Sequence, residues 1–377
     1  MPYKTPHCAD KSLIIKEKRY SGKKISFKIM IYNNVKIESF GYKIPPRRMT
    51  SSEIEEQLSP VYERLKLPKG RLELMTGIEQ RYFWNEGFLP SDGAILAGRA
   101  ALEKSSIDPQ KIGCLIMCSV CRDFLEPATA TVVHNALNLS KDAMVFDISN
   151  ACLGLLTGMI TAANMIELGQ IEAAMLVAGE NSGPLVQSTI KTILNDKSLT
   201  RKTIKPYFAS LTIGSGAVAF ILSSKKLSED APTLIAATST AATEYNDLCR
   251  GNADKGMFDG ADTIMNTDSE LLLQYGVQTA GETWNKFKKE TKWTNNTPDC
   301  ICTHQVGSAH KKLLFETLQL EKNKDFPTLA EFGNTGSVSC PITLAKAVEE
   351  GRINKGDKIS LLGIGSGINC TMLGVEW

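Results

Sequence analysis

Histidine is scarce in this 377-residue chain: four copies, at His7, His134, His304 and His310. That scarcity argues against a histidine-built metal centre. The one close cysteine pair, Cys118-x-x-Cys121, has no second pair at ligand spacing, so no metal is expected. The chain also lacks any apolar run near the roughly 18 residues that span a bilayer, and its N-terminus lacks the apolar stretch of a secretory signal. No integral membrane segment is expected, and the protein reads as cytoplasmic. A disulfide framework is missing as well, because the ten cysteines are scattered through apolar runs (Cys114, Cys118, Cys300, Cys302), as reduced buried thiols are. A large charge imbalance is absent too, since the formal net charge is +2.

The exception in charge is local. Residues 1–29 hold eight Lys/Arg against two Asp/Glu. They show no repeated Arg/aromatic pattern and no stacking platform, so they read as a flexible basic extension with no nucleic-acid partner. Strand character begins only at Met30, which is itself a candidate start residue.

What is present is the profile of a soluble globular protein, with 42% hydrophobic and 22% charged residues. At this length one core usually gives way to two packed halves. Apolar runs such as Gly113-Cys-Leu-Ile-Met-Cys118, Ala173-Ala-Met-Leu-Val-Ala178 and Ile359-Ser-Leu-Leu362 alternate with helical stretches, which predicts an α/β fold with buried sheets. A repeat runs through it. An offset of 182 lays Gly169 on Gly351 and Ile171 on Ile353, each pair just past a helix, and lays Cys152 on Asn334. Either the chain is duplicated, with halves at residues 30–226 and 227–377, or two ordinary βαβ units share a common helix stop.

Cys152 stands where an apolar strand runs into a helix. Exposed N–H groups and the macrodipole there favour a thiolate, but by at most about 2 kcal/mol, so a further partner is needed. His304 ends the apolar run Cys300-Ile-Cys-Thr-His304, where α/β folds collect their sites; it is a catalytic base or a satisfied structural histidine. His310 competes with it from a helical setting. Asn334 is either a helix cap or a second hydrogen-bond donor opposite Cys152. The segment Gly363-Ile-Gly365-Ser-Gly367 has too few residues after it for a dinucleotide site. It suits a turn whose backbone N–H, at Ser366, joins that of Cys152 in an oxyanion hole. Glu126, before Pro127 and a helix, is a first-turn acid or a base.

These residues resemble the thiolase superfamily, in particular condensing enzymes with a Cys-His-Asn triad. Thr76-Gly-Ile78 with Arg81, Asn150-Ala-Cys152, Ile213-Gly-Ser-Gly-Ala217, His304-Gln305, Gly333-Asn334 and Gly365-Ser-Gly367 resemble, in order, landmarks of the 3-oxoacyl-ACP synthase III group. The segments Ser119-Val-Cys-Arg-Asp-Phe-Leu-Glu126-Pro127, Leu248-Cys-Arg-Gly-Asn252 and Leu361 to Cys370 are similar to the OleA-type head-to-head acyl-CoA condensing enzymes of olefin biosynthesis.

The resemblance implies a homodimeric five-layered αβαβα fold of two pseudo-twofold-related halves. It also implies a non-decarboxylative Claisen condensation of two fatty acyl-CoAs to a 2-alkyl-3-oxoalkanoate. Cys152 would carry the acyl group, His304 and Asn334 would polarise the second donor, and Glu126, a buried carboxylate supplied across the dimer interface, would remove the α-proton. Acyl-CoA enters as substrate and no cofactor is implied. Alternatives are decarboxylative condensation with malonyl-ACP, as in synthase III, a type III polyketide-like activity, and a catalytically silent acyl-binding member. The sequence marks no residues for the CoA phosphates.

Overall fold

The computed structural model describes residues 30–251 and 265–377; the basic segment 1–29 and Asn252 lie outside the described residues. Five main-sheet strands of the first part of the chain, β1 (Val35–Lys43), β2 (Ile112–Met117), β3 (Met144–Asp147), β4 (Ala173–Glu180) and β5 (Gly216–Ser224), form one group. Four follow: β6 (Thr233–Ala241), β7 (Cys300–Thr303), β8 (Lys358–Gly365) and β9 (Asn369–Glu376). The first group is ordered β3-β2-β4-β5-β1, with β2 parallel to β3 and β4, and β5 antiparallel to β4 and β1. The second is ordered β7-β8-β9-β6, parallel once and then antiparallel twice.

The outer side of β7 carries one parallel bridge, Ile301 to Asp325, in the place that β3 holds beside β2. Both groups therefore follow one path, third strand, second, fourth, fifth, first. One residue pair, Lys36 with Thr233, joins the two groups edge to edge.

Six helices sandwich these strands: α1 (Pro90–Lys104), α2 (Thr129–Ala136), α3 (Gly154–Glu167), α4 (Ser269–Thr291), α5 (Ser308–Leu318) and α6 (Ser339–Glu349). Alternation along each strand sorts the core into layers. Leu115, Met117, Met175, Val177, Ala219 and Ile221 face one way, onto Ala94, Ala97 and Ala101 of α1 and Val133 of α2. Their neighbours Cys114, Ile116, Leu176 and Phe220 face the other way, onto Leu155, Leu156 and Met159 of α3. The same central cluster takes in Ile342 and Leu344 of α6 and, from the second group of strands, Cys300, Cys302, Ile359, Leu361 and Leu373. On the far side Ile301, Leu362, Ile364 and Met372 meet Val277, Trp284 and Phe287 of α4 and Phe315 of α5. Five layers result, with α3 and α6 in the middle. That is why α3 is apolar on nearly every side.

The repeat extends to single hydrogen bonds. After α3, the N–H groups of Leu168, Gly169 and Gln170 donate to the carbonyls of Asn164, Ile166 and Met165. After α6, those of Glu350, Gly351 and Arg352 donate to Lys346, Val348 and Ala347, each at the 182-residue offset. Gly169 and Gly351 take the left-handed conformation this helix stop requires, at φ 69° and 70°. A shared helix stop alone is common, but here it comes with the same strand order.

The helix that follows Glu126 is capped from across the sheet. Asp147, at the end of β3, accepts from the N–H groups of Thr129 at 2.9 Å and Ala130 at 2.8 Å. Asp147→Ala should therefore lower the unfolding free energy by about 1–2 kcal/mol, read from urea denaturation; an unchanged midpoint would deny the cap its weight.

Candidate active site

The carboxyl ends of β3, β4, β7 and β8 point toward one region, and the chemistry-bearing residues follow them. Cys152 sits in a tight turn. Ala151 before it is held at φ 45°, and the N–H groups of Leu153 and Gly154 donate back to Asn150 and Ala151. A non-glycine residue in that conformation is costly, and such strain collects at functional turns. Helix α3 begins at Gly154, so Cys152 stands two residues before the first helical residue and not on it. Gly154 is obligatory, because a Cβ there would lie 2.1 Å from the Cys118 carbonyl oxygen.

The other half closes over this turn. Cβ atoms at Gly363 and Gly365 would stand 2.5 and 2.8 Å from Leu153 side-chain atoms, so only glycine lets β8 pass. Asn369 Nδ2 donates to Asn150 Oδ1 at 3.1 Å. The Gly365-Ser366-Gly367 turn that links β8 to β9 is thereby laid against the cysteine turn.

His304 follows β7, and its N–H donates to the Leu362 carbonyl of β8 at 2.9 Å. The side chain is buried, and its Nδ1 has no hydrogen-bond partner among the described residues. Burial, and then nearby His310 on α5, depress its pKa to about 3. It is a neutral imidazole near pH 7. Gln305 anchors this stretch: its Oε1 accepts from the N–H groups of Thr328 and Leu329, and its Nε2 donates to the Phe326 carbonyl.

Asn334 is buried and bridges to Ile213, donating to Thr212 and accepting from Gly214, both at 2.9 Å. Its Oδ1 takes the N–H of Gly336 at 3.0 Å, which sets the carboxamide and turns Nδ2 into the donor available to a ligand. A helical turn, Gly336–Val338, runs from this bond into α6, so Asn334 Oδ1 takes the first N–H of that stretch while its Nδ2 stays available.

Burial decides the charges here. Cys152 keeps partial surface, yet burial, then the Glu180 carboxylate and then Cys249 push its thiol up to about 12, while its own N–H works in the opposite direction. Cys152 precedes the helix by two residues, and desolvation outweighs the small thiolate preference expected of a helix start.

Glu126 stands apart from the cluster in this single chain. It is exposed, and so are Val120, Phe124 and Leu125 on the same loop. The expected burial of its carboxyl is not met within one chain. Its alternative as a first-turn acid also fails, because the helix begins at Thr129 and Asp147 already fills its cap.

Glu180 and Ser337 were not singled out from sequence. The available signal was an acid closing an apolar eight-residue strand. Cys118 is buried and Cys121 half-buried with its thiol on the Asn181 carbonyl. Among the described residues, no group of three or more His, Cys, Asp or Glu is placed to hold a metal ion, and no helix is long and apolar enough to cross a membrane.

Residues 91–205 match the family model of the thiolase N-terminal domain, and residues 289–377 that of the 3-Oxoacyl-[acyl-carrier-protein (ACP)] synthase III C terminal. With the repeated five-layered architecture, these matches define a thiolase-superfamily condensing enzyme. The resemblance extends over nearly the whole described chain. An acyl-CoA:acyl-CoA alkyltransferase of Shewanella oneidensis is 40% identical over 351 residues, covering 92% of this chain and 100% of that protein. One from Xanthomonas campestris pv. campestris is 38% identical over 348 residues, with the same coverage. The chain belongs to the acyl-CoA:acyl-CoA alkyltransferase family. Its fold matches the crystal structure of cerulenin-bound Xanthomonas campestris OleA at a TM-score of 0.87 and 38% identity, over 92% of this chain and 98% of that one.

Two predictions arise from this geometry. Gly154→Ala must move the Cys118 carbonyl or the cysteine turn, and should cost about 1–3 kcal/mol of stability together with most acylation of Cys152, measured by denaturation and mass spectrometry. For His304, the folded pKa of about 3 lies below the ordinary 6.5. Protonation then favours the unfolded chain, so stability falls as pH drops from about 6.5 toward 3. His304→Asn should remove about 2 kcal/mol of the stability lost between pH 7 and pH 5, read from denaturant titrations at both values.

Proposed function

We propose that this protein condenses two fatty acyl-CoA molecules head to head, without decarboxylation, and releases a 2-alkyl-3-oxoalkanoate. The reading is supported by the buried His304 after β7, by Asn334 and Cys152 at matched positions of the two halves, and by the likeness to acyl-CoA:acyl-CoA alkyltransferases over 92% of the chain.

The Cys152 sulfur attacks the first thioester carbonyl while His304 relays the thiol proton to the departing CoA sulfur. The N–H groups of Cys152 and Ser366 hold the oxyanion. The second acyl-CoA places its carbonyl oxygen against His304 Nε2–H and Asn334 Nδ2–H. A neutral imidazole suits this role, since it donates without surrendering a full positive charge.

Glu126, supplied by a second copy of the chain, then removes the α-proton, and the carbanion attacks the acyl-cysteine carbonyl and expels the Cys152 thiolate. Hydrolysis of the remaining thioester consumes one water and frees the second CoA. The exposed Val120, Phe124 and Leu125 beside Glu126 support the homodimer, as does the exposed Met144 on the edge strand β3. Xanthomonas OleA structures carry replacements at a glutamate and a cysteine that are 26 residues apart, the spacing of Glu126 and Cys152 here. In this reading the enzyme is cytoplasmic, needs no metal or cofactor, and divides into halves at residues 226 and 227.

Incubation with a long-chain acyl-CoA alone should release CoA and a β-keto acid. Absolute dependence on malonyl-ACP would overturn the reading in favour of synthase III chemistry, which the C-terminal family match keeps as the comparison. Glu126→Ala should lower condensation by about 10²–10⁴-fold. The same variant should still acylate Cys152, as followed by mass spectrometry.

A further inference from the structure

Glu180 is the most enclosed carboxylate near the cysteine turn, and the chemistry above does not use it. It closes β4 and is buried. One oxygen accepts from the Val120 N–H at 2.9 Å, and the other from the Cys121 N–H at 3.1 Å. The first also takes the Ser337 hydroxyl at 2.5 Å and the Ser337 N–H at 3.3 Å. Gly336 holds φ 59° beside that oxygen, a left-handed conformation that favours glycine.

Val120 and Cys121 open the loop that ends in Glu126. Ser337 lies three residues past Asn334. The Cys118 carbonyl, just before this loop, presses on Gly154 behind Cys152. One carboxylate thus ties the backbone behind the nucleophile and the enolate donor's turn to the root of the loop that lends Glu126 to the second copy, and it does so across the two halves.

Its charge also reaches the sulfur. Burial holds the Glu180 pKa above the usual carboxylate range, and the donors of Ser337, Val120 and Cys121 offset only part of that rise. Those donors all favour the ionised form. The titratable groups facing this pair are the thiols of Cys121, beside Glu180, and Cys249, which like Glu180 raises the Cys152 thiol.

We infer that Glu180 is a positioning residue for the condensation, clamping the root of the Glu126 loop to the Asn334 turn and, as a carboxylate, repelling anions from Cys152. This rests on the reading of Cys152 as the nucleophile.

The test uses the full chain and two alkylating probes, neutral iodoacetamide and anionic iodoacetate, with Cys152 modification followed by peptide mass spectrometry. Glu180→Gln should raise the iodoacetate-to-iodoacetamide rate ratio at least 3-fold, because repulsion of the anion is gone, and lower condensation kcat at least 10-fold. General loosening of the turn would speed both probes alike. Glu180→Asp keeps the charge but shortens the reach, so the ratio should stay at the wild-type value while kcat falls.

An unchanged ratio in a folded Glu180→Gln protein, or wild-type kcat in either variant, overturns the inference. If Glu180→Gln does not fold, Glu180→Asp and Ser337→Ala decide it through kcat: a loss supports the clamp and wild-type turnover removes it. Failure of Cys152 to take up any acyl group would instead defeat the proposed function, and the alkylation ratio would still report on Glu180.

Discussion

The site depends on how closely two backbones approach. Gly154 lies against the Cys118 carbonyl on one side of the cysteine turn, and Gly363 and Gly365 pass under Leu153 on the other. A single methyl at any of these positions would occupy space already filled by backbone or by a packed leucine. Close packing of this kind leaves the turn few alternative positions, so the interior holds Cys152 where local propensity would not. The positive φ of Ala151 is tolerated on the same account.

Electrostatics follow from that packing. Burial disfavours unpaired charge, so the thiol of Cys152 is pushed up and the imidazole of His304 down, each toward its neutral form. At Glu180 the neighbours supply N–H and O–H donors that oppose the rise burial imposes. Glu126 is the opposite case: it lies on an exposed loop, and its environment must come from outside the chain.

Much of this was legible in sequence for identifiable reasons. Strands buried on both faces read as continuous apolar runs, as in Ala173–Glu180, and the matched helix stops at Gly169 and Gly351 exposed the duplication. Asn334 could be named because the offset carried it onto Cys152, and the glycines before Ser366 because only close approach explains them. Glu180 was not found, since its role arises from Val120, Cys121 and Ser337, which lie 60, 59 and 157 residues away in sequence. No local pattern encodes such a meeting.

The sequence by itself determined the residue types, the two-half plan and the strand ends at which chemistry gathers, because periodicity and turn residues act over a few neighbours. Tertiary structure alone decided the protonation states and the exposure of Glu126. It also placed Cys152 ahead of its helix and brought one carboxylate across the junction. Those properties depend on solvent exclusion and on groups far apart in the chain, and both exist only after the halves have packed.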